Sequence, residues 1–266
     1  MNSFMLGRYL PLDAFLHKRD PRIKILCMIF FLVAVFMDTG YLGYLFLGIL
    51  AILALVLSKL SPAIVFKAMR PMIMMLGFLL VINVLILQTG EPLFTLGPLT
   101  IYSGALLQTF YIAVRLILMI TITTVLTVTT KPIDLTLGIE DLLAPFAILH
   151  FNPHTIAMIL TLALRFIPTL LEETERIRKA QASRGVDLEE GSLKEKIMAI
   201  VSLIVPLFVA SFQRAEDLAD AMEARGYQPN RKRTRYRTLK IGFYDWLLLF
   251  VGLAVMVIYI WWSIVR

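Results

Sequence analysis

Cysteine and charged residues are scarce in this sequence, and each scarcity excludes a class of protein. The 266-residue chain has one cysteine, Cys27, so it can form no internal disulfide and no cysteine-rich metal cluster. Charged residues make up 17% of the chain and hydrophobic residues 59%, whereas a soluble domain has about 25% and 45–50%. A secreted disulfide scaffold, a disordered chain and an ordinary soluble enzyme are therefore excluded. The composition predicts an integral membrane protein.

Motifs for nucleotide binding and hydrolysis are also missing. The sequence contains no G-x-x-x-x-G-K-[ST], no H-E-x-x-H and no G-x-S-x-G, so the chain is not expected to cradle nucleotide phosphates in the P-loop manner. Of its three histidines, His150 and His154 are four residues apart, but Asn152-Pro153 interrupts any helix between them. No metal site and no resident cofactor are therefore predicted.

Long apolar runs predict an all-α membrane protein with about five transmembrane helices. Ser61-Pro62 has the pattern of a helix start, so residues 63–70 are expected to form a short interfacial or cytoplasmic helix ahead of the third span. The Gly- and Pro-containing stretch 88–100 is expected to be a loop. The five predicted spans are approximately residues 23–37, 41–57, 72–87, 101–128 and 243–265.

The distribution of positive charge predicts the orientation in the membrane. Basic residues precede the first span and separate the second from the third, whereas the alternate turns hold Asp38 and Glu91. The positive-inside rule therefore predicts a multi-pass protein of a cell membrane with a cytoplasmic N-terminus, and no cleavable signal is visible. The basic stretch 231–240 is interpreted as an anchor for anionic lipid. Nucleic acid is not expected as a partner.

The region 131–240 is of mixed polarity, with apolar segments that continue into charged ones. This pattern predicts long amphipathic helices. Asp134 is expected to cap a helix to about Leu149, and Ser192 with Glu195 forms a capping box. The apolar segments 155–171 and 197–212 allow either seven spans or five spans plus a largely cytoplasmic helical domain. Seven spans would place many basic residues outside, so five are favoured. The predicted domains are 1–130, 131–240 and 241–266.

A short motif occurs twice in this region. Ala-Gln-Ala-Ser-Arg-Gly ends at Gly185, and Ala-Met-Glu-Ala-Arg-Gly ends at Gly226. Arginine in a last turn followed by glycine is a common helix ending, which is sufficient to explain either copy alone. Two matching copies suggest two equivalent arginines offered to two similar partners, because a planar guanidinium makes several fixed hydrogen bonds. The candidate docking residues are Ser183, Arg184, Gly185, Ala224, Arg225 and Gly226.

Four further residues need an explanation. Arg165 precedes Pro168 in an apolar helix, where Pro168 is expected to bend or loosen the helix. The pair is either structural or a pivot under a partner protein. Arg115 lies inside the fourth apolar run, where a charge is costly, and is expected to find an acidic or carbonyl partner. Asp245, near the start of the last span, is given no function.

Several segments together resemble the EcfT family, the transmembrane coupling subunits of energy-coupling factor (ECF) importers. They are residues 16–24 (Leu-His-Lys-Arg-Asp-Pro-Arg-x-Lys), residues 163–168 (Ala-Leu-Arg-Phe-Ile-Pro), residues 214–219 (Arg-Ala-Glu-Asp-Leu-Ala) and the two arginine motifs. The first motif has Ser183 where the second has Ala224, a small residue in both cases. The resemblance spans nearly the whole chain.

The resemblance implies the partners and the mechanism. Two cytoplasmic ATPases, EcfA and EcfA′, would bind ATP and Mg²⁺, and a membrane S component would capture a vitamin or metal ion. Arg184 would engage one ATPase and Arg225 the other. The long coupling helices would face the S component and transmit the ATP-driven motion mechanically, and the chain itself would perform no covalent chemistry.

Two other functions remain open at this stage. The number of spans and Arg115 are compatible with a self-sufficient secondary carrier, which would transport substrate alone in liposomes. A membrane-embedded lipid enzyme or scaffold is the third possibility, but the sequence shows no catalytic constellation for it.

Overall fold

The structure is a computed structural model that describes residues 9–37, 40–87, 89–96, 99–145, 153–186, 191–228 and 239–265. Most of them are helical, because long apolar runs satisfy their backbone hydrogen bonds within a helix. A short 3-10 helix spans Leu16–Lys18. The longer helices are α1 (Pro21–Phe36), α2 (Gly40–Ser58), α3 (Pro62–Ile86), α4 (Ser103–Thr129), α5 (Pro132–Leu143), α6 (Pro153–Ala182), α7 (Leu193–Ala224) and α8 (Phe243–Val265).

The helix lengths confirm the all-α membrane class. Among the described residues, six helices are long and apolar enough to cross a membrane, namely α2, α3, α4, α6, α7 and α8. Helix α1, which the sequence also predicts as a span, has 16 residues. The count of about five spans is therefore approximate, and the choice between five and seven stays a prediction for α6 and α7.

Three helix starts follow the local chemistry of the sequence. The side chain of Asp20 accepts a hydrogen bond from the backbone N–H of Arg22 at the start of α1. Ser61 accepts from the N–H of Ala63 before α3. Ser192 and Glu195 form the expected reciprocal capping box before α7.

Three local predictions were wrong. Residues 63–70 are not a separate helix, because α3 continues through Pro71; the proline φ angle is helical, and only its own N–H bond is lost. Asp134 lies in the first turn of α5, which begins at Pro132 and ends at Leu143. The predicted loop 88–100 contains β1 (Pro92–Leu96), which pairs antiparallel with β2 (Leu99–Tyr102).

The chain divides into two compact units, residues 1–139 with 239–266, and residues 140–238. In the first unit, α1 packs against α8 and α4, whereas α2 and α3 pack on α4. Its main core consists of Phe31, Ala34 and Val35 of α1, Tyr44, Leu47 and Ala51 of α2, Leu118 of α4, and Val255 and Tyr259 of α8. The second unit contains α6 and α7, which pack together. The boundaries at 130 and 240 stay a prediction.

A buried polar cluster joins the beginning of α1 to the beginning of α8. The side chain of Asp245 is 5% exposed and lies 3.9 Å from the guanidinium of Arg19. Its carboxylate accepts hydrogen bonds from the backbone N–H of Asp20 at 3.2 Å and of Gly242 at 2.8 Å. Lys24 donates to the carbonyl of Thr129 at the end of α4. These contacts explain the charged residues that precede the first span.

Among the described residues, the contacts of Arg115 are with aromatic side chains and not with the acidic or carbonyl partner that the sequence suggested. Its Nε donates to the hydroxyl of Tyr44 at 2.9 Å, and the rings of Tyr111 and Phe36 lie 5.3 and 5.8 Å from its guanidinium carbon. The Tyr44 hydroxyl in turn donates to the carbonyl of Val35 at 2.8 Å. Within the described part of the chain, Arg115 is thus held by a hydrogen bond to a phenol and by contact with aromatic rings.

Candidate functional site: two arginine-terminated helix ends

Helix α6 ends in a regular C-terminal cap. Gly185 has a φ angle of +83°, and its N–H donates to the carbonyl of Ala182 at 3.0 Å. The N–H of Val186 donates to the carbonyl of Gln181 at 3.0 Å. This pair of bonds defines a Schellman motif. Arg184 occupies the C-cap position immediately before the glycine.

Helix α7 ends in the same way. Gly226 has a φ angle of +73°, and its N–H donates to the carbonyl of Glu223 at 2.8 Å. The N–H of Tyr227 donates to the carbonyl of Met222 at 2.9 Å. Arg225 is again the C-cap residue. The two arginines of the duplicated motif therefore stand on equivalent backbone geometry.

The glycines are required by conformation and not by lack of space. No heavy atom lies within 4 Å of a Cβ built on Gly185 or on Gly226. Their positive φ angles, however, are unfavourable for residues that carry a Cβ. Each glycine thus stops its helix and holds the preceding arginine at the very end of it.

Both arginine side chains are open to a partner. Arg184 and Arg225 are exposed, as are Ser183 and Ala224 beside them. Within the described residues, no hydrogen bond or ion pair of either guanidinium is found. Several N–H donors on each helix end are available for carbonyl or carboxylate groups of another protein.

Two side-chain contacts join α6 and α7. The carboxylate of Glu173 accepts from Nη2 of Arg214 at 2.8 Å, and it also lies 3.5 Å from Nη1 of Arg176. Further along α6, the amide of Gln181 donates to the backbone carbonyl of Ser202 at 3.1 Å. Gln181 follows Glu173 in α6, whereas its partner Ser202 precedes Arg214 in α7. The two helices therefore run in roughly opposite directions.

This arrangement places the two arginines at opposite ends of the helix pair. Arg184 follows Glu173 by eleven residues, and Arg225 follows Arg214 by the same number. Each arginine is therefore about 16 Å along its own helix from the ion pair, at about 1.5 Å per residue. Because the helices run in opposite directions, the arginines are on the order of 30 Å apart. Such a separation suits two partners, or two copies of one kind of partner.

Arg165 and Pro168 lie earlier in α6, and both are exposed. The helix does not end at Pro168 but continues to Ala182. Helix α7 likewise contains an internal proline, Pro206. Neither Arg165 nor Pro168 belongs to the contacts that join α6 to α7, so their role as a pivot stays a prediction.

An exposed apolar face runs along the first half of α7. Its large side chains recur at helical spacing, so they share one side of the helix: Ile197, Val201, Ile204, Phe208 and Phe212. A row of exposed apolar side chains of this length is typical of contact with lipid or with another membrane protein.

Sequence reasoning missed Glu173 and the role of Arg214. Arg214 begins one of the segments that resemble the family, and Glu173 lies in a charged helical stretch. Nothing in the neighbouring sequence indicates that the two residues meet. The pairing joins residues 41 positions apart. The alternation of charged residues on both helices was the available signal, and it does not identify the partner.

Two further predictions concern a metal site and a lipid anchor. The described residues contain no group of three or more His, Cys, Asp or Glu side chains able to hold a metal ion. The basic residues at 231, 232, 233, 235 and 237, together with His150, lie outside the described residues. The expected contact of this basic stretch with anionic lipid stays a prediction.

Comparison with known proteins gives consistent matches over most of the chain. The model of the family CbiQ, described as cobalt transport protein, matches residues 13–236, which include both arginine motifs. The energy-coupling factor transporter transmembrane protein EcfT of Bacillus subtilis (strain 168) is 42% identical over 239 residues, 90% of each chain.

Two further relatives match over nearly their whole length. The energy-coupling factor transporter transmembrane protein EcfT of Listeria innocua serovar 6a is 43% identical over 263 residues, 98% of each chain. The protein of the same name from Macrococcus caseolyticus is 40% identical over 262 residues, 98% of this chain and 99% of the relative. The similarity is therefore not confined to the membrane helices.

Proposed function

The chain belongs to the CbiQ family and, within it, to the EcfT transmembrane proteins of energy-coupling factor transporters, and from this premise we propose how it couples its partners. It is the transmembrane coupling subunit of an ECF transporter. Arg184 docks on one cytoplasmic ATPase, EcfA, or on its counterpart EcfA′, and Arg225 docks on the other. A membrane S component captures the vitamin or metal ion.

The equivalence of the two helix ends is the observation that supports this proposal. Both arginines occupy C-cap positions of Schellman motifs, both are exposed, and both lie about 16 Å from the Glu173–Arg214 ion pair. Two related ATPases offer two similar surfaces, so two similar docking ends are the expected complement. A secondary carrier would have no use for such a pair.

The transduction is mechanical. When the ATPases close on ATP, the surfaces that hold Arg184 and Arg225 move relative to each other. The long helices α6 and α7 convey this movement because each is continuous from its docking end past the ion pair. Glu173 and Arg214 keep the two helices in contact. Their ion pair is equally distant, along each helix, from Arg184 and from Arg225. Movement of one end is thereby passed to the other helix.

The apolar face of α7, from Ile197 to Phe212, is the surface we assign to the S component. Arg165 and Pro168 lie on the apolar half of α6 and are exposed, which supports assigning them to the same partner. An apolar, largely flat helix face makes few directional bonds. It therefore permits the S component to slide or tilt as α6 and α7 move.

ATP and Mg²⁺ are bound by the partner ATPases in this proposal, and the chain supplies no catalytic group. The sequence contains no P-loop motif. The protein is a component of transport, and hydrolysis takes place on its partners. The protein is located in the bacterial cell membrane. Its N-terminus and both arginine ends lie on the cytoplasmic side, because the distribution of basic residues favours this orientation.

Purification of the intact complex tests the proposal directly. The tagged chain would be isolated in mild detergent from its own membrane, and every co-purifying polypeptide identified by mass spectrometry. Two P-loop ATPases and at least one small membrane protein are expected. Arg184→Glu should lose one ATPase, Arg225→Glu the other, and the double variant both.

Arg70→Glu serves as the matched control for the charge change. Arg70 is an exposed arginine of α3, which belongs to the first compact unit, whereas both arginine ends belong to the second. This variant should retain both ATPases. Wild-type ATPase content in the double arginine variant would overturn the proposal, and transport by the chain alone in liposomes would favour a secondary carrier.

A further inference from the structure

A large cavity lies in the first unit, beside α4 and away from the arginine ends. Its volume is about 890 Å³, and it extends among residues of α2, α4, the end of α8 and the segment before β1. Most of the α4 residues that line it are spaced three or four apart along one side of the helix: Gly104, Leu107, Gln108, Tyr111, Ile112 and Arg115. The cavity therefore follows one face of α4 for about three turns.

Arg115 lines this cavity near the middle of α4. Gly104, at the start of α4, is joined to Thr89 by a backbone hydrogen bond of 3.0 Å, and Arg115 lies eleven residues further along the helix. The distance between the two positions is about 16 Å along the axis. Since α4 has 27 residues, Arg115 is close to the middle of a helix that spans the membrane.

Among the described residues, the cavity walls are polar and carry no negative charge. Besides Arg115, the lining includes hydroxyl and amide groups of Tyr41, Thr89, Gln108 and Ser263. None of the described lining residues is acidic. The contacts described for Arg115, with Tyr44, Tyr111 and Phe36, are all with neutral groups. The site thus contains one fixed cation surrounded by neutral donors and acceptors.

Such a charge is costly within a membrane unless water or an anion reaches it. The contact with Tyr44 fixes the guanidinium at Nε, and the tyrosine is itself fixed by its bond to Val35. A guanidinium has five N–H donors in a fork that suits oxyanions. Tyr41, Thr89 and Ser263 add hydroxyl donors to the lining of the same cavity. A tetrahedral oxyanion, with several oxygens, can use more of these donors than a carboxylate can.

We propose that this cavity is a binding site for a phosphate-type oxyanion, with Arg115 as the cation that holds it. The ligand enters from the end of the first unit that carries the β1–β2 hairpin. Two sources have the required chemistry: the headgroup phosphate of an anionic lipid, and a soluble phosphate. The site is separate from the arginine ends, so this proposal and the coupling function can fail independently.

Calorimetric titration with inorganic phosphate tests the soluble source. The full-length chain would be delipidated in neutral detergent and titrated with phosphate, with chloride as the competing ion. Removing Arg115 as Arg115→Gln should weaken binding at least tenfold, because hydrogen bonds to a charged group are lost. Arg115→Lys should bind with intermediate affinity, since lysine keeps the charge but not the fork.

Lipid retention tests the second source. The wild type and Arg115→Gln would be reconstituted in nanodiscs containing phosphatidylglycerol and phosphatidylcholine, then released into neutral detergent for native mass spectrometry. A phosphatidylglycerol adduct that persists in the wild type and is depleted in Arg115→Gln identifies a lipid headgroup. Phosphate binding without such an adduct identifies a soluble anion.

Arg70→Gln provides the matched control, because Arg70 is an exposed arginine of α3 outside the cavity lining. It should change neither readout. The thermal unfolding of every variant would be measured, and Arg115→Lys together with the wild-type titration keeps the test valid if Arg115→Gln is unstable. Absence of both phosphate binding and lipid adducts in the wild type would overturn the proposal.

Asp38→Asn addresses the remaining alternative. Asp38 is two positions before Gly40 in the sequence but lies outside the described residues, so this variant tests whether its carboxylate competes with phosphate for Arg115. The proposal expects Asp38→Asn to bind phosphate within about threefold of the wild type. Binding that appears only in Asp38→Asn would show that Arg115 serves an internal ion pair, and would overturn it.

Discussion

Arg214 of α7 donates a 2.8 Å hydrogen bond to Glu173 of α6, and each residue is eleven positions before the arginine that ends its own helix. The pair is half-buried, with side-chain exposures of 32% for Arg214 and 17% for Glu173. It is the principal charged contact between the two helices among the described residues. The ion pair therefore lies at the same distance along each helix from the arginine that ends it.

Breaking this ion pair should uncouple the two helices without removing either docking end. We expect Glu173→Gln and Arg214→Gln each to reduce substrate uptake while both ATPases still co-purify. A double-mutant cycle on thermal unfolding should give a coupling free energy of about 1 kcal/mol, because the pair is only partly exposed. Arg178→Gln, which removes an exposed pair with Glu175, is the control and should cost less. Full uptake in both single variants would contradict the role assigned to the pair.

Adding a methyl group at Gly185 or Gly226 should destabilise the chain, although the space around each glycine is open. Gly185→Ala and Gly226→Ala are each expected to destabilise the chain by about 1 kcal/mol, because alanine is disfavoured at a positive φ angle. Each should also weaken retention of one ATPase, since the arginine beside it is displaced. The measurements are thermal unfolding and the ATPase content of the purified complex.

Gly48→Ala is the matched control for this prediction. Gly48 also has no heavy atom within 4 Å of a built Cβ, but it lies inside α2 and is not among the glycines with positive φ. This substitution should be neutral or slightly stabilising, because alanine favours a helix. Equal destabilisation at Gly48 and Gly185 would refute the conformational explanation.

The Asp245 cluster should be essential to the stability of the first unit. Asp245→Ala removes the acceptor of two backbone N–H groups and leaves Arg19 without its acidic partner. The expected loss is about 2 kcal/mol or more, because buried donors are left unsatisfied. Thermal unfolding in detergent measures it. Asp13→Ala, at an exposed ion pair with Lys18, should change stability by less than about 0.5 kcal/mol.

The spacing of the two docking ends can be measured directly. Spin labels on Ser183→Cys and Ala224→Cys, in a Cys27→Ala background, should report a distance on the order of 30 Å, because the arginines lie at opposite ends of the pair. Cys27 is the chain's one cysteine, so its replacement leaves a clean background. A distance below about 20 Å would show that the helices run side by side in the same direction, contrary to the contacts described.

Much of the local structure was predictable because it depends on neighbouring residues. Ser61 and Ser192 begin helices, and Gly185 and Gly226 end them, through hydrogen bonds that span only a few positions. The failures were also local. The sequence predicts a separate helix over residues 63–70, whereas α3 continues through Pro71, because a helix tolerates a proline when one backbone hydrogen bond is given up.

By itself, the sequence determined the membrane class, the helix ends at Gly185 and Gly226 and the presence of two equivalent arginines beside them, because hydropathy and capping act over a few turns of chain. Only the tertiary structure decided which distant groups meet. Asp245 contacts the backbone of Asp20 across 225 positions, Arg115 finds Tyr44 across 71, and Arg214 finds Glu173 across 41. Such pairings depend on how whole helices pack, and any charged residue on a helix has several possible partners until that packing places one within hydrogen-bond distance.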